Sequence, residues 1–152
     1  MWMMAHISVD GLGPLIDDFM TLSFLPGEVV DGMLGAGADV IVEAQRAEVQ
    51  RQWKGPYSMG ISAKSIKKDR KIRTSRNYCG VEHYINVYPQ GTRKRGKKSV
   101  RNAEIAFINE YGAPKRGITP RPAIAAANTK AEQQAVEAGE RVFNAYLDSK
   151  NL

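Results

Sequence analysis

Residues 91–98 come closest to a nucleotide-binding motif in this sequence. Gly91, Gly96 and Lys97 have the spacing of a phosphate-binding P-loop. In that motif the lysine contacts the phosphates, and a Ser or Thr directly after it reaches the bound magnesium. Here Lys98 takes the place of the hydroxyl residue, and Ser99 comes one position late. The sequence therefore predicts no nucleotide site in this segment.

Cys79 and His83 are the side chains best suited to act as a nucleophile and its base. Four residues of a strand span roughly 13 Å at about 3.3 Å per residue, so the two side chains would share a face but lie beyond hydrogen-bond reach. One cysteine and two histidines are also too few for a usual zinc site. Paired carboxylates such as Glu43 and Glu48 fall on predicted helix surfaces. We therefore predict a protein that is not an enzyme and holds no metal or cofactor.

Basic residues are concentrated in the middle of the chain. Residues 64–101 contain 13 of the 22 lysines and arginines but only 2 of the 16 acidic residues, which gives this segment a net charge of +11 and the remainder −5. Such an asymmetry attracts polyanions or an acidic protein surface. A basic face that is only solvated is the alternative interpretation.

Within this segment, residues 90–99 are predicted to form an exposed basic loop at a hairpin tip. The loop carries five cations in six positions: Arg93, Lys94, Arg95, Lys97 and Lys98. Flexible lysine and arginine side chains neutralise phosphates without reading base sequence. The loop is therefore predicted to contact either DNA or the acidic surface of a neighbouring protein subunit.

The elements that must position these residues are predicted from the apolar periodicity. A long helix is expected at about 28–53 and an amphipathic C-terminal helix at about 122–147. Strands are expected at 72–76 and 78–88, with Ile85 and Val87 facing the core. These patterns predict one α+β domain, residues 1–152, in which a small antiparallel sheet packs against the two long helices.

Shorter elements complete the prediction. Residues 1–11 read as an N-terminal arm, a short helix is expected from Pro14, and another is expected at 58–67. An apolar segment at 103–111 is closed by Gly112 as a helix C′ residue. Glycines 32, 35 and 37 each cost roughly 1 kcal/mol in a helix interior, so close packing against another backbone is their predicted use.

Two motifs near the C-terminus carry a resemblance to a known family. An apolar segment ends on Glu110, Tyr111 and Gly112, and after a basic loop Arg121 and Pro122 begin the last helix. This arrangement resembles the small tail-component, or tail-completion, proteins of long-tailed double-stranded-DNA phages. In that family an aromatic-rich segment ends in Glu-(Phe/Tyr)-Gly, and an Arg-Pro helix start follows.

A third segment resembles the same family further upstream. Residues 59–66 are similar to the family pattern Thr-Gly-x-Leu-x-x-Ser-Ile at Gly60, Ser65 and Ile66, with Met59 in place of Thr. The resemblance then covers roughly residues 28–147, with the elements and motifs in the same order as in the family. It implies that Arg121 can form a bidentate pair with a carboxylate such as Glu110.

The function that the resemblance implies is structural. Such a protein forms a homo-oligomeric ring, expected to be a hexamer, at the phage neck, where it completes the tail and joins it to the head. Its expected partners are the head–tail connector and the tail terminator or tube proteins, with non-specific contact to channel DNA if the basic loop faces the channel. The expected location is the virion neck, and the host cytoplasm during assembly.

A different class of function fits the same charge pattern: a basic nucleic-acid-binding protein without a virion role. Neither hypothesis involves a membrane. The sequence has no run of about 18 apolar residues, so no transmembrane span is predicted.

Overall fold

Four helices, two of them long, a 3-10 turn and six short strands are found in the part of the chain that the computed structural model describes, residues 25–54, 60–78 and 80–152. The predicted arm at 1–11, the predicted helix from Pro14, and residues 59 and 79 lie outside these ranges. In chain order the elements are α1 (Gly27–Gln52), α2 (Ile61–Ser65), β1 (Ile66–Lys68), β2 (Arg73–Asn77), β3 (Gly80–Tyr84), β4 (Val87–Pro89), β5 (Thr92–Arg95), β6 (Lys98–Arg101), α3 (Asn102–Tyr111), a 3-10 turn (Pro114–Arg116) and α4 (Ala123–Ser149).

Helices α1 and α4 pack against each other in antiparallel directions, and both were predicted from their periodicity. A Cβ atom added at Gly37 would lie 3.2 Å from the carbonyl oxygen of Ala135, and one at Gly32 would lie 3.1 Å from the Val142 side chain. The buried face of α4 is built from small residues: Ala123, Ala127, Ala131, Ala138 and Gly139. Close backbone packing, the predicted use of the α1 glycines, is therefore confirmed at Gly37.

The apolar core lies at the end of α1 that faces the start of α4. Trp53 is buried there, Ile66 at the start of β1 is fully inaccessible, and Ala106 of α3 packs against the same cluster. Val87 of β4 packs against this core, as predicted. Burial of one such large side chain contributes about 1.5–3 kcal/mol.

The predicted α+β fold is confirmed, with the strands paired in three two-stranded antiparallel sheets within the described ranges: β1 with β4, β2 with β3, and β5 with β6. The predicted helix at 58–67 is shorter in the structure, because residues 66–68 extend into β1.

The predicted continuous strand at 78–88 is wrong in extent, because the chain leaves the strand between β3 and β4 at residues 85–86. Asp69 causes the break. Its carboxylate accepts hydrogen bonds from the side chain of Asn86 at 3.0 Å and from the backbone N–H of Asn86 at 3.3 Å, and its own N–H donates to the Asn86 carbonyl. Val81, on the far side of the break, is exposed and does not face the core.

A carboxylate network fastens the end of α1 to α4. Glu48 is buried and accepts hydrogen bonds from Arg51 and Gln52, while Lys130 of α4 lies 3.4 Å away. The hydrogen bond from Arg51, followed by that from Gln52, lowers the pKa of Glu48 from 4.5 to about 2.

This network predicts an acid-dependent loss of stability. Because the pKa of Glu48 is lowered in the folded state, its stabilising contribution is fully present above pH 4.5 and is lost as the pH falls towards 2. Glu48→Gln should therefore lower stability at neutral pH and flatten the dependence of stability on pH between these values. Denaturant unfolding across that pH range tests the effect, and Arg51→Gln should flatten the curve in the same direction. An unchanged slope in both variants would show that the network does not form.

Candidate interaction surface and the junction behind it

The predicted basic loop is the tip of a hairpin formed by β5 and β6. Residues 92–95 pair with residues 98–101, and Gly96 takes a positive φ of 61° in the turn. The hairpin therefore presents its charges on a hydrogen-bonded support. The side chains of Lys94, Arg95, Lys97 and Lys98 are exposed.

Arg93 differs from the other four cations because it anchors the hairpin. Its Nε donates to Asn102 Oδ1 at 2.7 Å, and its Nη2 donates to Ser62 Oγ at 2.9 Å. Desolvation, with repulsion from Arg95, lowers the pKa of the Arg93 guanidinium from its usual value. Asn102 is itself buried and donates to the Gln90 carbonyl at 2.7 Å. The sequence grouped Arg93 with the contact residues, whereas the structure makes it a structural one.

The four exposed cations have no internal counter-charge in the described ranges. None of them lies within 4.0 Å of a carboxylate of a described residue. Arg95 and Lys98 are directly opposite each other across the two strands. Like charges at such positions destabilise a strand pair, so an external anion would relieve the repulsion.

Glu110, at the end of α3, caps the last helix. Its two carboxylate oxygens accept hydrogen bonds from the backbone N–H groups of Ile124 at 3.0 Å and Ala125 at 2.8 Å. These are N–H groups of the first turn of α4, which have no acceptor within the helix. Pro122 stands at the N-cap position, where it offers no side-chain acceptor. A buried carboxylate from another helix supplies both the hydrogen bonds and the negative charge that a helix N-terminus favours.

The predicted pairing of Arg121 with Glu110 is wrong. The guanidinium of Arg121 donates to Asn109 Oδ1 at 2.7 Å and points towards the carbonyls of Gln52 and Lys54, at 3.5 and 3.4 Å. Glu110 does not pair with Arg121 because its oxygens are occupied by the amides of α4. Arg121 fixes the same junction by a different route, since it bridges the end of α1 to α3.

Trp53 completes this junction, and no role was predicted for it. Its indole N–H donates to the Arg121 carbonyl at 2.8 Å. The only signal in the sequence was its position at the predicted end of the long helix, two residues before Gly55 and Pro56.

Among the motif residues, Gly112 has the backbone conformation that other residue types can least adopt. Its N–H closes α3 on the Ile108 carbonyl at 2.8 Å, as expected of a C′ glycine. Its φ is 75° and its ψ is 179°. A Cβ atom at this position would lie 2.7 Å from the Ile118 carbonyl oxygen and 2.8 Å from Pro120 Cδ.

The upstream motif residues also have structural positions. Gly60 precedes α2 with a φ of 69°. The Ser65 hydroxyl donates a hydrogen bond to the Ser62 carbonyl at 2.7 Å. The carbonyl of the fully buried Ile66 accepts two hydrogen bonds from the Arg46 guanidinium. Tyr111 differs from these motif residues because it is 66% exposed.

The described ranges contain no group of three or more His, Cys, Asp or Glu side chains arranged to hold a metal ion. Among the helices of those ranges, none is both long enough and apolar enough to cross a bilayer. No protein-family model, curated protein or solved structure matches the chain.

Proposed function

We propose that this protein is a structural component of the neck of a long-tailed double-stranded-DNA phage. In this proposal it forms a homo-oligomeric ring, a hexamer by family resemblance, that completes the tail and joins it to the head connector. Its site of action is the virion neck, and it assembles in the host cytoplasm. The observation that carries the proposal is the hydrogen-bonded basic hairpin, whose four exposed cations pair with no carboxylate of the described ranges.

The positions of the motif residues give further support. Glu110, Gly112, Arg121 and Pro122 all lie at one junction, where α3 ends and α4 begins. These four residues share one structural task, which is consistent with their being a motif. The junction joins the ends of α1 and α3 to the start of α4 by hydrogen bonds.

A ring would repeat the basic hairpin in every subunit. At physiological ionic strength screening extends over only about 8 Å, so cations crowded together within a ring need an anionic neighbour. Packaged DNA must slide through the neck, and many phosphate clamps would retard it. We therefore propose that the hairpin contacts an acidic surface of the connector or of the tail terminator.

The experiment is a charge-removal variant in the phage that encodes the protein. Because Arg93 is an anchor, the variant replaces Lys94, Arg95, Lys97 and Lys98 with serine and retains Arg93. We expect rings to form but head–tail joining to fail, with free tails and DNA-filled heads in electron micrographs. The matched control replaces four exposed cations outside the hairpin with serine: Lys64, Lys67, Arg70 and Lys71.

Three other outcomes count against parts of the proposal. Joined particles that lose their DNA would place the hairpin in the DNA channel. Normal yields of infectious particles would show that the hairpin is only a solvated surface without a partner. Averaged particle images with no copies of the protein at the neck would contradict the neck role itself.

The second candidate is a nucleic-acid-binding protein without a virion role, and the same four cations favour it. If four phosphates are neutralised, the logarithm of the DNA association constant should fall with the logarithm of salt concentration with a slope of about −3.6. Strong binding with that slope by the isolated protein, abolished in the four-serine variant, would favour this candidate over the neck protein.

A further inference from the structure

An open groove runs along one side of the pair formed by α1 and α4. The part of α1 that lines it extends from Met33 to Gln45, and the part of α4 extends from Asn128 to Glu140. At a rise of about 1.5 Å per residue, each stretch is about 18 Å long. The groove therefore has the length of about three turns of a further helix.

The inner surface of the groove is mainly apolar and has a volume of about 650 Å³. Small residues of both helices leave space in it: Gly37, Ala38, Ala135 and Gly139. Larger apolar side chains line it as well: Met33, Leu34, Ile41, Ile85 and Val136. Apolar surface left open in this way is typical of a contact site, and a methionine adapts readily to the shape of a partner.

The edge of the groove on α4 is acidic. Glu140 lines the groove, and Glu132 lies one helical turn from Val136 on the same face of α4. Glu137 follows Val136 directly in the chain. All three carboxylates are exposed, and none lies within 4.0 Å of a lysine or arginine of the described ranges. Among the described residues, no lysine or arginine lines the groove.

The half of the helix pair that surrounds the groove has the same sign of charge. Residues 27–43 of α1 and 131–148 of α4 lie side by side, since Gly37 packs against Ala135 and Gly139 against Met33. These two stretches contain eight acidic residues and one basic residue, which gives them a net charge of −7. A cleft within such a field attracts cations. A partner that fits the groove must therefore combine an apolar face with positive charges beside it.

We propose that the groove binds a basic amphipathic helix of a partner protein. The apolar side chains of that helix, at spacings of three and four residues, enter the groove, and its lysines or arginines lie beside the carboxylates of α4. Binding of an amphipathic helix in an apolar groove is a recurrent mode of peptide recognition. The inference does not depend on the neck role or on the partner of the basic hairpin.

The described part of the chain offers no such helix to a second copy. Of its four helices, α1 and α4 pack against each other, α2 is only five residues long, and α3 contains no lysine or arginine. The charge of the groove therefore favours a different protein over another copy of this one.

The first test is fluorescence anisotropy of the full chain with a dye-labelled peptide made of two Leu-Lys-Lys-Leu-Leu-Lys-Lys repeats. One control peptide has glutamate at every lysine position, and the other has the same composition in an order that forms no apolar face. We expect the lysine peptide to bind at least about tenfold more tightly than either control. No binding of the lysine peptide overturns the proposal. Equal binding of the glutamate peptide contradicts the charge requirement, and equal binding of the reordered peptide contradicts the helix.

A matched pair of variants tests whether the peptide occupies the groove. Val136→Arg places a cation in the groove at a residue that is 51% exposed, and Val81→Arg makes the same change on the β2–β3 hairpin at a residue that is 52% exposed. The dissociation constant of the lysine peptide should rise about tenfold or more in Val136→Arg and change by less than about twofold in Val81→Arg. Equal effects of the two variants would show that the peptide binds elsewhere.

A second matched pair tests the carboxylates of α4. The first variant replaces Glu132, Glu137 and Glu140 with glutamine. Its control removes three exposed carboxylates that do not line the groove, by Asp31→Asn, Glu43→Gln and Glu104→Gln. The first variant should raise the dissociation constant about tenfold, and the control should raise it much less, although both change the net charge equally. Circular dichroism melting confirms that all variants fold.

Two further results would overturn the proposal by identifying a different occupant of the groove. Peptide binding that appears only after Phe19→Asp would show that residues 1–24 of the same chain take this place. A full chain that dimerises in sedimentation velocity, together with a monomeric Val136→Arg variant, would show that a second copy does so.

Discussion

Gly112→Ala is expected to destabilise the protein by about 3–5 kcal/mol, one of the two largest effects that the structure predicts. The backbone at Gly112 has a φ of 75° and a ψ of 179°, a region that is essentially open only to glycine. The added methyl group would also approach the Ile118 carbonyl oxygen to 2.7 Å, and that oxygen accepts the N–H of Ala113. The clash cannot be relieved by a side-chain rotation, because the opposing groups are backbone and a proline ring.

Gly117→Ala is the matched control for this prediction. Gly117 lies in the same loop with a φ of 68°, but a Cβ atom there meets nothing within 4 Å. Its substitution should cost only the left-handed backbone penalty of about 1–2 kcal/mol. Comparing the melting temperatures of the two variants separates the backbone strain from the steric clash of the added methyl group. Gly112→Ala should have a melting temperature roughly 5 °C or more below that of Gly117→Ala. Equal melting temperatures would show that the close approach at Gly112 is absent.

The long helices could be predicted because their signal is local and repeated. Apolar and small residues recur at spacings of three and four over many turns, and the predicted ranges of 28–53 and 122–147 agree closely with Gly27–Gln52 and Ala123–Ser149. A single misleading residue changes little in a pattern of that length.

The strands and the site contacts could not be predicted in the same way, because they depend on partners far along the chain. The alternation at 78–88 is real, but Asp69 breaks the strand through hydrogen bonds to Asn86 that no local pattern reveals. Arg93 has the same residue type and spacing as its basic neighbours, and only the positions of Ser62 and Asn102 distinguish it.

One signal of the contact between α1 and α4 was present in the sequence. The buried residues of α1 include Ala38, Val42, Gln45 and Val49, at spacings of four and three. A glutamine at an apolar position of such a helix indicates a hydrogen-bond partner on the opposing element. That signal could have directed attention to Gln45, although its partner, Asn128 of α4, can be identified only from how α1 and α4 pack.

Glu110→Ala is expected to have the second large effect, because it removes the buried carboxylate that caps the N-terminus of the last helix. Two backbone N–H groups at the start of α4 would lose a charged acceptor in a place where Glu110 itself is only 7% exposed. Hydrogen bonds to charged groups contribute about 1.5–3 kcal/mol each, so the loss of both should cost about 3–6 kcal/mol in total. A change of this size affects the whole fold, since α4 forms half of the helix pair.

Glu110→Gln and Glu104→Ala show whether the cap is the cause. Glutamine keeps one acceptor oxygen without the charge, so it should recover part of the stability. Glu104 lies on the same helix but is exposed, and its replacement by alanine should change stability by less than about 0.5 kcal/mol. Hydrogen exchange gives the most direct evidence, because the amides of Ile124 and Ala125 should lose protection in Glu110→Ala before the rest of α4 does. If Glu110→Ala and Glu104→Ala unfold at the same denaturant concentration, the last helix is not held by this carboxylate.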